Sequence, residues 1–74
     1  MTLDDIQTGY SAVIERLTVH GDMRRRFLDI GLLEGTRVEC VGRAPSGDPA
    51  AYLIRGKVIA IRDEDCRGVI VREA

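Results

Sequence analysis

One histidine, two cysteines and a run of acids are the side chains here with the chemistry to ligate a metal or attack a substrate. Their spacing limits both roles. Cys40 and Cys66 lie 26 residues apart, with no C-x-x-C and no C-x-x-H around either. A structural zinc site takes about four ligands, mostly in short-spaced pairs, so no dedicated metal cage is expected. What stays open is a weak surface site for a transition-metal ion, assembled from Cys66, His20 and the neighbouring Asp63, Glu64 and Asp65. The competing reading is a solvated acidic turn, whose three carboxylates raise the Cys66 pKa and disfavour its thiolate. Cys40 shares an alternating pattern with Val38, which predicts a buried, inert thiol. Nucleophilic and phosphate chemistry lack their motifs: there is no G-x-S-x-G, no G-x-x-x-x-G-K-S/T loop and no Gly-rich dinucleotide fingerprint. No catalytic residue, metal ligand or cofactor is assigned, and the chain is not expected to be an enzyme.

Arginine is the second chemical signal. Ten arginines stand against one lysine, Lys57, yet the twelve acids bring the formal net charge to −1. No global positive field draws such a chain to nucleic acid or anionic lipid. An RNA-binding barrel needs stacking aromatics on a basic face, and a groove for proline-rich peptides needs several aromatics along it. Tyr10, Phe27 and Tyr52 are all the sequence has, with no Trp. The arginine excess itself fits either bidentate recognition of carboxylate or phosphate or the codon bias of an Arg-rich genome.

The elements that must position these side chains are short. The chain is 45% apolar and 31% charged over 74 residues, which predicts one globular domain over 1–74. A core of that size contributes roughly 3–5 kcal/mol of net stability. No run approaches the ~18–20 apolar residues that span a bilayer, and the N-terminus lacks a basic segment followed by an apolar one. A cytoplasmic chain with no direct membrane insertion is therefore expected. Tyr10–Leu17 reads as a strand with Ala12 and Ile14 on one face. Met23–Ile30 reads as a helix: Asp22 can cap it, Met23, Phe27 and Ile30 form one stripe, and Gly31 ends it with Leu32 folding back. Thr36–Gly42 alternates again, and Ala44–Pro49 is dense in turn formers. Ala51–Arg55 and Lys57–Arg62 are two strands about a tight turn at Gly56. Arg62–Arg67 reads as a helical turn and Val69–Arg72 as a last strand. The fold class is mainly β: a small barrel of about five strands with one or two short α-helices, its closure removing exposed edges.

The order of these elements resembles the ferrous iron transport protein A (FeoA) family. The resemblance rests on Arg26-Phe27-Leu28-Asp29-Ile30-Gly31-Leu32 followed by Gly35-Thr36, on Ala44–Pro49, on Arg55-Gly56, on Ala60-Ile61-Arg62, and on Gly9 ahead of the first strand. It covers essentially the whole chain. It implies an SH3-like barrel and a cytoplasmic accessory role beside a membrane ferrous iron transporter with a GTP-binding domain. The expected function is thus an adaptor that binds and modulates that transporter. The alternative is a small protein that senses or delivers ferrous iron through Cys66, His20 and nearby carboxylates.

Six residues are the candidates for the partner contact: Arg24, Arg25, Leu33, Pro45, Ser46 and Asp48. The helix is electrostatically reversed, with Arg24, Arg25 and Arg26 in its first half and Asp29 in its last turn, each against the macrodipole. Arg26 and Asp29 belong to the family motif, and packing over the barrel and hydrogen bonds to a strand account for them. Arg24 and Arg25 belong to it less clearly and suit an acidic partner surface. The Ala44–Pro49 loop is stiff, so presenting it loses little entropy. Relatives often place bulky apolar residues after each proline of that loop. This chain has Ser46 and Ala50, which leaves Leu33 to supply the apolar contact.

Overall fold

The computed structural model describes residues 1–74. A 3-10 turn at Leu3–Asp5 leads to β1 (Ser11–Leu17), α1 (Gly21–Asp29), β2 (Arg37–Arg43), β3 (Ala50–Ile54), β4 (Lys57–Ile61), α2 (Asp63–Cys66) and β5 (Val69–Glu73). The strands form one antiparallel sheet in the order β4-β3-β2-β1-β5.

Alternation fixes which face turns inward. Because side chains alternate strictly along a strand, a slip of one residue would turn the whole apolar set outward. Ala12 pairs with Val38, Val38 with Ile54 and Cys40 with Tyr52, and all of these are buried. Ala50, Ile61, Val69 and Val71 continue the same core, and Leu3, Ile6, Phe27, Leu32 and Cys66 cover it. The register shifts once in β1, between Ile14 and Arg16, and once in β2, between Cys40 and Gly42. Such bulges bend short strands and raise their twist.

Closure of the sheet is where expectation and structure part. The two end strands, β4 and β5, are not paired with each other. The outer edge of β5 is occupied by the N-terminus instead. Thr2 bridges Ile70, and the Val71 N–H donates to the Met1 carbonyl at 2.9 Å. A partner drawn from the chain's own first residues satisfies β5, which leaves β4 as the free edge of the row.

Helix α1 starts earlier than its cap residue predicts. Asp22 lies inside the first turn, and His20 stands at the N-cap position without a side-chain cap bond. Asp22 still opposes the positive end of the helix, so its effect there is favourable. The other end follows the sequence closely. The Leu32 N–H donates to the Phe27 carbonyl at 3.0 Å and the Gly31 N–H to the Leu28 carbonyl at 3.1 Å, the paired bonds of a Schellman cap. Gly31 carries φ +102°, and a Cβ there would meet the Ile54 side chain at 3.3 Å. Only glycine gives both the left-handed turn and the close approach. That approach brings the end of α1 against the β3–β4 hairpin, whose two turn residues, Arg55 and Gly56, have φ of 51° and 84°. Positive φ at both positions is what a tight two-residue hairpin requires.

Candidate functional site

The six expected contact residues fall on two separate parts of the surface. Arg24 and Arg25 are exposed on α1, and Leu33, just past its cap, is 40% exposed. Leu28, 36% exposed, sits one helical turn after Arg24. It lines both the cleft that holds Arg24 and the cleft that holds Leu33. Arg24, Leu28 and Leu33 therefore belong to one continuous surface. Neither of those clefts includes Pro45, Ser46 or Asp48.

The Pro45–Asp48 side chains largely serve the loop itself. The Ser46 hydroxyl donates to the Asp48 carbonyl at 2.9 Å. The Asp48 carboxylate accepts the Asp63 N–H at 3.0 Å, and so satisfies one of the donors that the start of α2 leaves open. Pro45 remains exposed. Ala50, which follows the second proline of the loop, is buried in β3 opposite Ile61. A bulkier side chain there has no open space.

Arg43 anchors the same loop, a role that spacing alone does not reveal. Its guanidinium donates to the carbonyls of Ile6 at 2.9 Å, Asp4 at 3.2 Å and Gly47 at 3.4 Å, and meets the Asp63 carboxylate at 3.5 Å. It ties the N-terminal turn, the β2–β3 loop and α2 together. Net contributions of charged hydrogen bonds run to ~1.5–3 kcal/mol, and the side chain is 26% exposed, so water compensates part of any loss. Arg43→Ala is expected to lower stability by about 2 kcal/mol in urea denaturation. It should also speed amide exchange at Gly47, while an unchanged midpoint would remove Arg43 as an anchor.

The expected partners of Asp29 are absent. It makes no side-chain hydrogen bond and no ion pair, and the only carboxylate pairs are Arg43–Asp63 and Arg67–Asp4. The unfavourable placement of Asp29 at the end of α1 is left uncompensated by any neighbour. Arg26 instead lies beside Phe27 and Ile30 on the wall of a cleft shared with Pro49, Ile59 and Arg62.

The metal-binding alternative rests on side chains that do not meet. The solvent expected around Cys66 is absent, since its side chain is fully buried, whereas His20 is exposed. No three His, Cys, Asp or Glu side chains converge on one point. The Cys66 thiol lies 3.5 Å from the Tyr52 hydroxyl, which in turn donates to the Leu3 carbonyl at 3.4 Å. Burial pushes the thiol up to about 11, with Asp4, Asp63 and Asp65 adding to the rise and the Tyr52 contact opposing it. The direction agrees with the acid-run argument, but desolvation is the larger cause. Burial likewise raises the Tyr52 hydroxyl, followed by its bond to Cys66. Cys40 is buried as expected.

What sequence reading missed lies between α1 and β4. Two clefts, of about 330 and 480 Å³, meet at Ile30 and Ile59 and run along the free strand. Val58, 64% exposed, is the most open aliphatic side chain on that strand. The signal was present in the sequence: V-I-A-I is apolar at four consecutive positions, and alternation puts Val58 and Ala60 on the face opposite Ile59 and Ile61.

The sequence profile of the FeoA domain matches residues 1–73. This chain belongs to the FeoA family. That family takes part in ferrous iron transport as accessory proteins. A relative from Porphyromonas gingivalis, an Fe(2+) transport protein A/Fe(2+) transporter FeoB fusion protein, is 35% identical over 71 residues. The match covers 96% of this chain and 8% of the fusion protein. Among solved structures, iron(II) transport protein A of Clostridium thermocellum superposes with a TM-score of 0.95 at 30% identity, over 100% of this chain and 46% of that one. The FeoA of Stenotrophomonas maltophilia, a prokaryotic SH3-domain protein solved with zinc, superposes with a TM-score of 0.85 at 28% identity. That match covers 96% of this chain and 88% of the other. The fold is therefore SH3-like, with the sheet open at β4. No helix in this FeoA-family chain is long and apolar enough to cross a membrane.

Proposed function

We propose that this chain is a small cytoplasmic accessory protein of bacterial ferrous iron uptake, acting as a single FeoA-like domain. It binds the cytoplasmic part of a GTP-dependent membrane ferrous iron transporter and modulates it. One observation carries the reading: a 35% identical relative has this domain joined to the transporter in one polypeptide. Covalent joining holds two modules at high effective concentration. A separate copy must supply the same association from its own surface.

The proposed contact uses Arg24, Arg25 and Leu33 on the α1 surface, with Pro45, Ser46 and Asp48 as a second point of contact. Ser46 and Asp48 hold the loop's shape through their own bonds, so the loop presents Pro45 and its backbone at little ordering cost. Modulation requires that one state of the transporter be bound more tightly than another.

The test is an NMR titration of the labelled protein with the transporter's soluble GTP-binding domain, with and without a non-hydrolysable GTP analogue. Shifts at Arg24, Arg25, Leu33 and Pro45–Asp48 in one nucleotide state are expected. Reversing both charges (Arg24→Glu with Arg25→Glu) should weaken binding about tenfold at low salt and remove most of its salt dependence. Salt-independent binding would eliminate the arginine contact, and silence in both nucleotide states would eliminate this domain as the partner.

A further inference from the structure

The free edge of β4 and the groove beside it form a recognition surface whose backbone and cations the contact proposed above does not use, although Leu33 of that contact lines one end of the groove. Ile54 and Lys57 flank the two-residue turn and pair with each other, as do Tyr52 with Ile59 and Ala50 with Ile61. In an antiparallel hairpin of this kind, alternate residues exchange both bonds with the partner strand. The residues between them, Val58 and Ala60, accordingly turn their N–H and C=O groups outward. No other strand lies beyond β4, and both residues are exposed. Alternating donors and acceptors along an open edge fit another polypeptide backbone. They fit neither a nucleic acid nor a lipid headgroup, which lack that alternation.

The side chains around the edge select the charge of the occupant. Arg26 and Arg62 stand at one end of the groove, and Arg55 and Lys57 at the other. None of the four makes an ion pair within the chain. The carboxylates lining the same clefts are Asp65 and Asp29, so cations outnumber acids by four to two along the groove. Its middle is apolar, with Ile30 at the C-cap of α1 and Ile59 from β4 lining both halves. A second copy of this chain is a poor occupant, because its own β4 would bring the same four cations against these.

We infer that β4 accepts an acidic, extended segment of a partner protein as a sixth strand, with carboxylates at both ends of the segment and apolar side chains between them. Five residues of β4 correspond to about 17 Å of strand, which sets the length of segment recognised. Backbone bonds at Val58 and Ala60 hold the strand, the Ile30–Ile59 floor takes its inward side chains, and the four cations fix its ends. The inference does not depend on which protein supplies the segment, so it stands or falls separately from the transporter contact.

The probe is a capped seven-residue peptide, Asp-Glu-Val-Thr-Val-Glu-Asp, titrated to millimolar concentration against the labelled full chain. Expected are amide shifts along β4 and slowed hydrogen exchange at Val58 and Ala60, with a control peptide carrying Lys in place of every acid giving neither. Lys57→Glu combined with Arg62→Glu should weaken the acidic peptide by about tenfold and turn the preference toward the lysine peptide. Ala60→Pro removes one outward N–H without touching the pairing to β3 and should abolish binding. If that variant is misfolded by its amide spectrum, the charge swap and the exchange data still decide. Absence of shifts, equal binding of the two peptides, or binding without protection at Val58 and Ala60 would each overturn the inference.

Discussion

Phe27→Ala is expected to leave no cooperatively folded domain at 37 °C. The Phe27 ring is 3% exposed and is the deepest point at which α1 enters the core. Phe-to-Ala substitutions in cores cost about 3–5 kcal/mol, and a domain this small has a margin of similar size. Two links of the structure fail together. The sheet loses part of its cover, and the Schellman cap loses the ring at Phe27, which is buried in the same core as Leu32. Thermal and urea unfolding followed by circular dichroism measure the effect. Leu28→Ala, at the neighbouring exposed position, is the control and should change stability by no more than about 0.5 kcal/mol. A cooperative transition in Phe27→Ala near that of the unmodified protein would mean that the sheet is stable without its helix.

Alkaline pH should unfold the protein through Cys66 and Tyr52. The folded state holds the Cys66 thiol protonated up to about 11, whereas an exposed thiol titrates near ~8.5. Below that lower value both states carry the proton and this contribution to stability is complete. Above it the unfolded chain releases a proton that the folded chain retains. Stability then falls by about 1.4 kcal/mol per pH unit until the folded thiol also ionises. Across that window the loss is on the order of 3 kcal/mol from Cys66 alone. Tyr52, whose hydroxyl is also held protonated by burial, adds a second fall above its ordinary value near ~10.

Urea midpoints at pH 7, 9 and 10.5 test this against Cys66→Ala. The variant should begin about 1 kcal/mol less stable, for the lost contact with Tyr52, and should stay level until tyrosine titrates. A thiol reagent offers a second readout, since both cysteines are buried and should react only as the chain unfolds. Parallel pH dependence of the two proteins would remove Cys66 as the source. The same burial bears on function, because it keeps the Cys66 sulfur away from the exposed side chains with which it would have to form a surface metal site.

The two proposed recognition surfaces adjoin, because Leu28 and Leu33 line the same cleft as Arg55 and Lys57. The α1 surface with Arg24, Leu28 and Leu33 sits on a capped helix whose position is set by Gly31. The β4 edge is a backbone surface, and its specificity comes from cations at its ends. The floor of the groove is shared with the core, since Phe27, Ile54 and Ile61 line the one and hold the other.

Much of this was legible in the residue order, because local interactions write it there. The Phe27–Leu32 cap follows from a glycine placed one step after an apolar stripe. The hairpin follows from Arg55-Gly56 between two apolar runs. The buried face of each strand follows from alternation, including the inward Cys40. The five strands come from the same local order, and the SH3-like class from the resemblance to the FeoA family. Contacts between distant residues were not legible. Nothing near Cys66 in sequence announces that Tyr52 and Leu3 will enclose it, and an acidic run argues for water around it. The clasp by Arg43 joins carbonyls at Asp4, Ile6 and Gly47, and backbone acceptors carry no sequence signature. Whether the sheet closes was decided by the first two residues taking the edge of β5, a pairing across almost the whole chain. Periodicity specifies which side of an element is apolar. Only the assembled fold decides which edge is left without a partner, and that edge is where this protein can receive another.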